Sequence, residues 1–167
     1  MTWHEAKTYC EGRGAYLATV TSQQEEDFVY DKLCCSSSYE CWLGGTDESG
    51  EGNWLWITGE EWKYTHWGNG EPNTYCAGEN YLHLFRIAGI PGYWNDEIYN
   101  GQCGRGVGKV FVPICEWSGC DNTTCYTKEQ LDQAVKTEQL KWDANGDGKI
   151  AAILILIFFT ETMSVSN

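Results

Sequence analysis

Apolar and polar positions follow two rhythms along this chain, helical near the start and strand-like from about residue 42 onward. Thr2, followed three positions later by Glu5, forms a capping box, and Trp3, Ala6 and Cys10 share one face of a helix predicted to end at Cys10 or Gly12. Residues 16–20 read as a short strand. Residues 21–25 supply a second cap and first turn, with Phe28, Val29 and Leu33 as the buried side of a second helix. Beyond residue 42, Gly, Asn, Trp and Tyr dominate, and the short runs 54–57, 81–85 and 110–115 read as strands. Between the first two of these, residues 59–80 show little periodicity. A stretch of that length inside a compact domain is a candidate functional loop. After Trp117 the pattern changes again: residues 118–126 form a polar, cysteine-bearing connector, and residues 127–130 cap a helix with Leu131, Val135 and Leu140 on one side.

Composition narrows the function. The chain's 167 residues suit one domain, or a small domain with an appendage, and are too few for a multidomain enzyme. Aromatic residues at 14% and charged residues at only 21% argue for a packed globule and against disorder. The formal charge of -13 repels a phosphate backbone or an anionic lipid surface, so no nucleic-acid partner is expected. Nine cysteines point to an oxidising compartment, hence to a secreted, periplasmic or cell-surface protein, and their odd number leaves at least one thiol unpaired or joined to another chain. Paired metal knuckles are absent from their spacing. Residues 1–5 have neither the basic nor the apolar region of a signal peptide, so the start is expected to have been trimmed or never included. The longest apolar run, 151–159, is far short of the roughly 20 residues that span a bilayer, and no transmembrane segment is expected.

The chemistry concentrates in three clusters: Glu71-Pro72-Asn73, Glu79-Asn80 and Trp94-Asn95-Asp96. Glu71, Asn73, Glu79, Asn95 and Asp96 offer three carboxylates and two amide oxygens, hard donors of the kind Ca2+ gathers in sets of six to eight. A cis bond before Pro72 lets Glu71 and Asn73 point the same way at one ion. These clusters, together with residues 1–6, Leu17-Ala18-Thr19-Val20, Trp42-Leu43-Gly44-Gly45 and the closing Ile114-Cys115-Glu116-Trp117, resemble the C-type lectin-like domain over residues 1–117. The resemblance implies an α+β fold with two helices, two small antiparallel sheets and a long calcium-binding loop, its first strand expected before Met1. It also implies that Glu71, Asn73, Glu79, Asn95 and Asp96 hold the principal Ca2+, which binds two vicinal sugar hydroxyls directly. Glu-Pro-Asn corresponds in the family to mannose-type glycans with equatorial 3- and 4-hydroxyls. Tyr75 is a candidate contact for the sugar ring. The alternative to sugar binding is a calcium-stabilised protein-binding module.

The same resemblance assigns the cysteines. It pairs Cys10 with Cys115. The family's second disulfide falls on Tyr81 and Tyr99 here, while Cys76 lies five positions before the first and Cys103 four after the second, so a displaced Cys76–Cys103 bridge is expected. Cys120 and Cys125 close a short loop, and Cys41 takes Cys34 or Cys35, because adjacent cysteines seldom bridge each other. The resemblance also places a second calcium site on Asp47 and Glu51, expected to be weak or empty because Thr74 and Asn80 replace its other carboxylates.

No catalysis is expected. Carboxylates committed to a metal are poor general acids, and His4, His66 and His83 stand beside no nucleophile motif. His83 reads as a packed or hydrogen-bonded core residue. Residues 127–167 read as an EF-hand-like or dockerin-like helical tail. Asp143, Asn145, Asp147 and the Lys149 carbonyl are its candidate calcium ligands, and with Leu154 where a carboxylate belongs the loop is expected to bind Ca2+ weakly or not at all. Its apolar run is expected to be buried against the lectin unit or another chain, or to promote self-association. Asn122-Thr123-Thr124 is a candidate glycan acceptor.

Overall fold

The computed structural model describes residues 1–30, 39–85, 92–118, 140–142 and 149–153. Helix α1 spans Trp3–Glu11 and opens on the expected capping box: the Thr2 side chain accepts from the Glu5 N–H, and Glu5 accepts from the Thr2 N–H at 2.8 Å. Its buried face is Trp3, Ala6 and Cys10. Helix α2 spans Gln23–Phe28 and is capped by Ser22, while the backbone and hydroxyl of Thr21 both donate to Glu25 Oε2 at 2.7 and 2.8 Å. Leu33 lies outside the described residues.

The strands among the described residues are, in chain order, β1 Tyr16–Leu17 (before α2), β2 Tyr39–Thr46, β3 Leu55–Trp56, β4 Tyr81–Phe85, β5 Tyr93–Glu97, β6 Val110–Pro113, β7 Cys115–Ser118, β8 Leu140–Trp142 and β9 Lys149–Ile153. One sheet has the order β1-β7-β9-β8. The other has the order β3-β2-β4-β5, with β6 also paired to β2. The pairings are antiparallel, as expected, apart from that last one, which is parallel. The run 110–115, read as one strand, is two. It leaves the second sheet at Pro113 and enters the first at Cys115, and between them the Ile114 N–H donates to Trp42 O while Ala18 N–H donates to Ile114 O. One buried residue thus stitches both sheets together.

The core splits about β2 by strand alternation. Cys41 and Leu43 join Val20, Phe28, Trp56, Leu82, Leu84, Trp94 and Ile114. Trp42 joins Trp3, Leu17, Tyr81 and Phe111 on the α1 side. Gly44 is where β2 passes the chain leaving β1: a Cβ there would sit 2.5 Å from the Leu17 carbonyl oxygen. Cys10–Cys115 ties α1 to β7, as the family resemblance implies. Cys41 is disulfide-bonded, and both cysteines offered as its partner lie outside the described residues.

The described residues of the tail are strands, not helix. Leu140, expected on a helix face, is in β8, and Lys149, expected in a calcium loop, starts β9, which pairs with β7 from Ser118↔Lys149 to Cys115↔Ala152. The apolar Lys149–Ile153 segment satisfies its backbone on the side of β7 that β1 leaves open, an outcome that helical periodicity does not encode. The connector residues 119–126, with Cys120, Cys125 and Asn122, and the tail residues Asp143, Asn145 and Asp147 lie outside the described residues.

Candidate metal centre

The loop between β3 and β4 is held by its middle. Trp94 N–H donates to His66 O, Gly68 N–H donates to Trp94 O, and Trp67 bridges Trp94 in parallel register. Trp54, Trp56, Trp62 and Trp67 pack edge and face about this junction, with Trp94 at its centre. The Trp94 indole N–H donates to Glu26 Oε2 of α2 at 2.7 Å, a bond between residues 68 apart in sequence. His66 Nδ1 lies 3.4 Å from the other oxygen of that buried carboxylate, and this contact raises the imidazole pKa against the partial burial that lowers it. No local motif marks Glu26 or His66 as a support of the site, because both act through contacts distant in sequence.

With Trp94 fixed, β5 alternation places Asn95 half-buried toward the loop and Asp96 2% exposed beneath it. The Glu71–Pro72 bond is cis, as expected. The Asn73 backbone N–H donates to Asp96 Oδ1 at 3.1 Å, and the Asn73 amide donates to Glu71 Oε2. Asn73 Oδ1 accepts from the Tyr75 N–H at 2.7 Å, and Glu79 Oε2 accepts from the Cys76 N–H at 2.9 Å. Glu71, Asn73, Glu79 and Asn95 line one cleft of about 430 Å³, with Tyr75 and Gly104 at its rim. Four of the five expected ligands therefore share a cleft, and the fifth touches it through Asn73. Tyr75 is 79% exposed, its ring lying along Gly104, where a Cβ would approach to 3.5 Å.

Electrostatically the cleft suits a cation. Burial pushes the Asp96 carboxyl up to about 7, against the Asn73 N–H that lowers it, and the charges of Glu79 and Glu71 add to the rise. Burial likewise raises Glu79, with Glu71 and Glu51 contributing. Converging oxygens whose ionisation is opposed by burial and by one another are the donor set a hard divalent ion stabilises. Cys76, Glu79 and Cys103 also cluster, but Cys76 and Cys103 are joined in the expected displaced disulfide and offer no thiolate.

At the second expected site, Asp47 Oδ2 accepts from the Gly52 N–H at 2.7 Å and the Asp47 carbonyl accepts from the Gly50 N–H at 2.8 Å, so this carboxylate shapes a turn. Glu51 is exposed beside it.

The Lectin C-type domain profile matches residues 1–103. The chain belongs to the C-type lectin domain family. Proteins of this family are non-enzymatic and generally bind carbohydrate with Ca2+, and the α+β architecture described here is the family fold. Hepatic lectin of Gallus gallus is 32% identical over 105 residues, covering 62% of this chain and 47% of its own. The C-type lectin domain of murine dendritic cell inhibitory receptor 2, solved in complex with N-glycan, superposes with a TM-score of 0.52 at 27% identity, over 59% of this chain and 74% of that one. Herring type II antifreeze protein superposes with a TM-score of 0.53 at 29% identity, over 60% and 76%. The chain spans less than half the length of hepatic lectin and of other curated relatives. No helix among the described residues is long and apolar enough to cross a membrane.

Proposed function

We propose that this domain binds mannose-type glycans through Ca2+ held by Glu71, Asn73, Glu79, Asn95 and Asp96, recognising equatorial vicinal 3- and 4-hydroxyls. The observation that carries the reading is the Glu71–Asn73 pair, a carboxylate acceptor and an amide donor bonded to each other at the mouth of a carboxylate-lined cleft. A vicinal diol can replace that mutual bond: one hydroxyl proton goes to the Glu71 carboxylate, and one hydroxyl lone pair accepts from Asn73 Nδ2. The bound ion supplies direct coordination of both hydroxyl oxygens. Tyr75 offers an exposed aromatic face beside them. Two described disulfides fit a secreted or cell-surface setting.

Glycan-array binding with Ca2+ and with chelator tests the reading. Calcium-dependent signal for mannose-type sugars is expected, and calcium-dependent stabilisation with no glycan signal favours the protein-binding alternative. Glu71→Gln combined with Asn73→Asp exchanges donor and acceptor without changing the charge, and is expected to move preference toward galactose. Unaltered mannose preference in that double variant counts against the assignment.

A further inference from the structure

The orientation of the Asn95 amide can be deduced from its neighbours. One terminal atom lies 2.6 Å from the Asp96 carbonyl oxygen. A carbonyl oxygen only accepts, so that atom is the nitrogen. The same nitrogen lies 3.0 Å from Nε2 of His83, the residue directly opposite Asn95 in the β4–β5 register. With one N–H on the Asp96 carbonyl and the other on His83, Nε2 is the accepting, unprotonated ring nitrogen. The ring proton then sits on Nδ1, which faces Glu40 Oε2 at 3.8 Å. Glu40 is buried, and its other oxygen lies 3.5 Å from Lys109 Nζ. The His83 ring cannot easily turn: it is 1% exposed, with Trp42 and Phe111 edge-on at 5.8 and 5.2 Å.

We propose that His83 is a positioning residue of the calcium centre: it grips the Asn95 amide by its nitrogen and so leaves Oδ1 as the atom offered to the cation. This rests on the calcium reading above. An Asn amide is nearly symmetric in shape, and a flipped one would present an N–H to the ion in place of an oxygen. His83 itself touches neither the ion nor a sugar. Its role is the kind that outer partners of metal ligands play, where loss lowers metal affinity by about 10- to 100-fold.

The wild-type chain is first tested by calcium calorimetry and by 15N NMR of the histidine rings in chelator. His83 is expected as the Nδ1–H tautomer, and an Nε2–H tautomer overturns the inference without any substitution. His83→Phe keeps a ring but no acceptor, and is expected to weaken calcium binding about 10- to 100-fold. His83→Gln, which restores an acceptor, is expected to recover most of that loss. In an Asn95→Ala background, His83→Phe should weaken binding no further. Equal affinity of His83→Phe and wild type overturns the positioning role alone, as does an undiminished effect of His83→Phe in the Asn95→Ala background. A wild-type chain that binds no calcium overturns the metal centre and this role with it.

Discussion

At the scale of single residues, Asp96 joins the two halves of the site. Its carboxylate receives the Asn73 N–H while its backbone carbonyl receives the Asn95 amide, so the Glu-Pro-Asn loop and the Trp-Asn-Asp strand meet at one residue. Asp96→Ala keeps the backbone carbonyl that holds Asn95 but removes the acceptor of the Asn73 N–H and a proposed ligand together. Calorimetry should show calcium affinity falling by more than about 100-fold, above the range for loss of a supporting contact, while circular dichroism in chelator still reports a folded domain. A variant with normal calcium-dependent mannose binding refutes the assignment. The same residue sets a pH dependence. Its carboxyl is pushed up to about 7 by burial first and by Glu79 and Glu71 second, and a cation requires the ionised form. Calcium affinity should therefore be full above pH 7 and fall as pH drops through 7 toward 5, which calcium titrations across that range will show. A flat profile contradicts it.

At the scale of elements, β2 does most of the positioning. It pairs with β3, β4 and β6 and divides the two cores, and its Trp42-Leu43-Gly44-Gly45 segment is legible in the sequence without its reason being so. The reason is close approach on both sides. A Cβ on Gly44 would meet the Leu17 carbonyl oxygen at 2.5 Å, and one on Gly45 would meet Leu82 Cδ2 at 2.7 Å. The first obstacle is backbone and cannot rotate away. Gly44→Ala should thus cost about 1–3 kcal/mol by overpacking, measured by urea unfolding in chelator, and an unchanged midpoint would falsify the claim that β1 and β2 are in tight contact here.

At the scale of the whole molecule, two disulfides have different work. Cys10–Cys115 closes 105 residues and Cys76–Cys103 closes 27. By loop length their losses cost roughly 4.7 and 3.5 kcal/mol. Their functional ranking should be the reverse, because Cys76 donates its N–H to Glu79 and Cys103 donates its own to Glu97 beside the site. Cys76→Ser with Cys103→Ser is expected to lower calcium affinity more than the corresponding Cys10 and Cys115 pair, and stability less, as read by calorimetry and denaturant melts. Acid separates binding from folding in a similar way. Glu116 and Glu97 are, like Asp96, pushed up to about 7 chiefly by burial. A carboxyl raised in the fold keeps a proton that the unfolded chain releases, so its contribution is greatest below its ordinary range and is lost as pH rises through 7. In chelator the melting temperature should consequently rise between pH 7.5 and 5, over the interval in which calcium affinity falls. A melting temperature that drops across this interval contradicts the assignment.

The sequence by itself determined the start of α1, from the reciprocal bond between Thr2 and Glu5, because a capping box is complete within four residues. It also determined the candidate ligands and the displaced Cys76–Cys103 pair, which short motifs and their order carry. Only the tertiary structure decided what holds those ligands in place. Glu26 reaches Trp94 across 68 positions, His83 reaches Asn95 through strand register, and Ile114 divides one apolar run between two sheets. It also decided that Leu140 and Lys149–Ile153 are strands, since the open side of β7 supplies backbone partners that local periodicity cannot register. Local patterns encode bonds made within a turn or two of chain, whereas buried hydrogen bonds and sheet edges are satisfied by whatever the completed fold brings alongside.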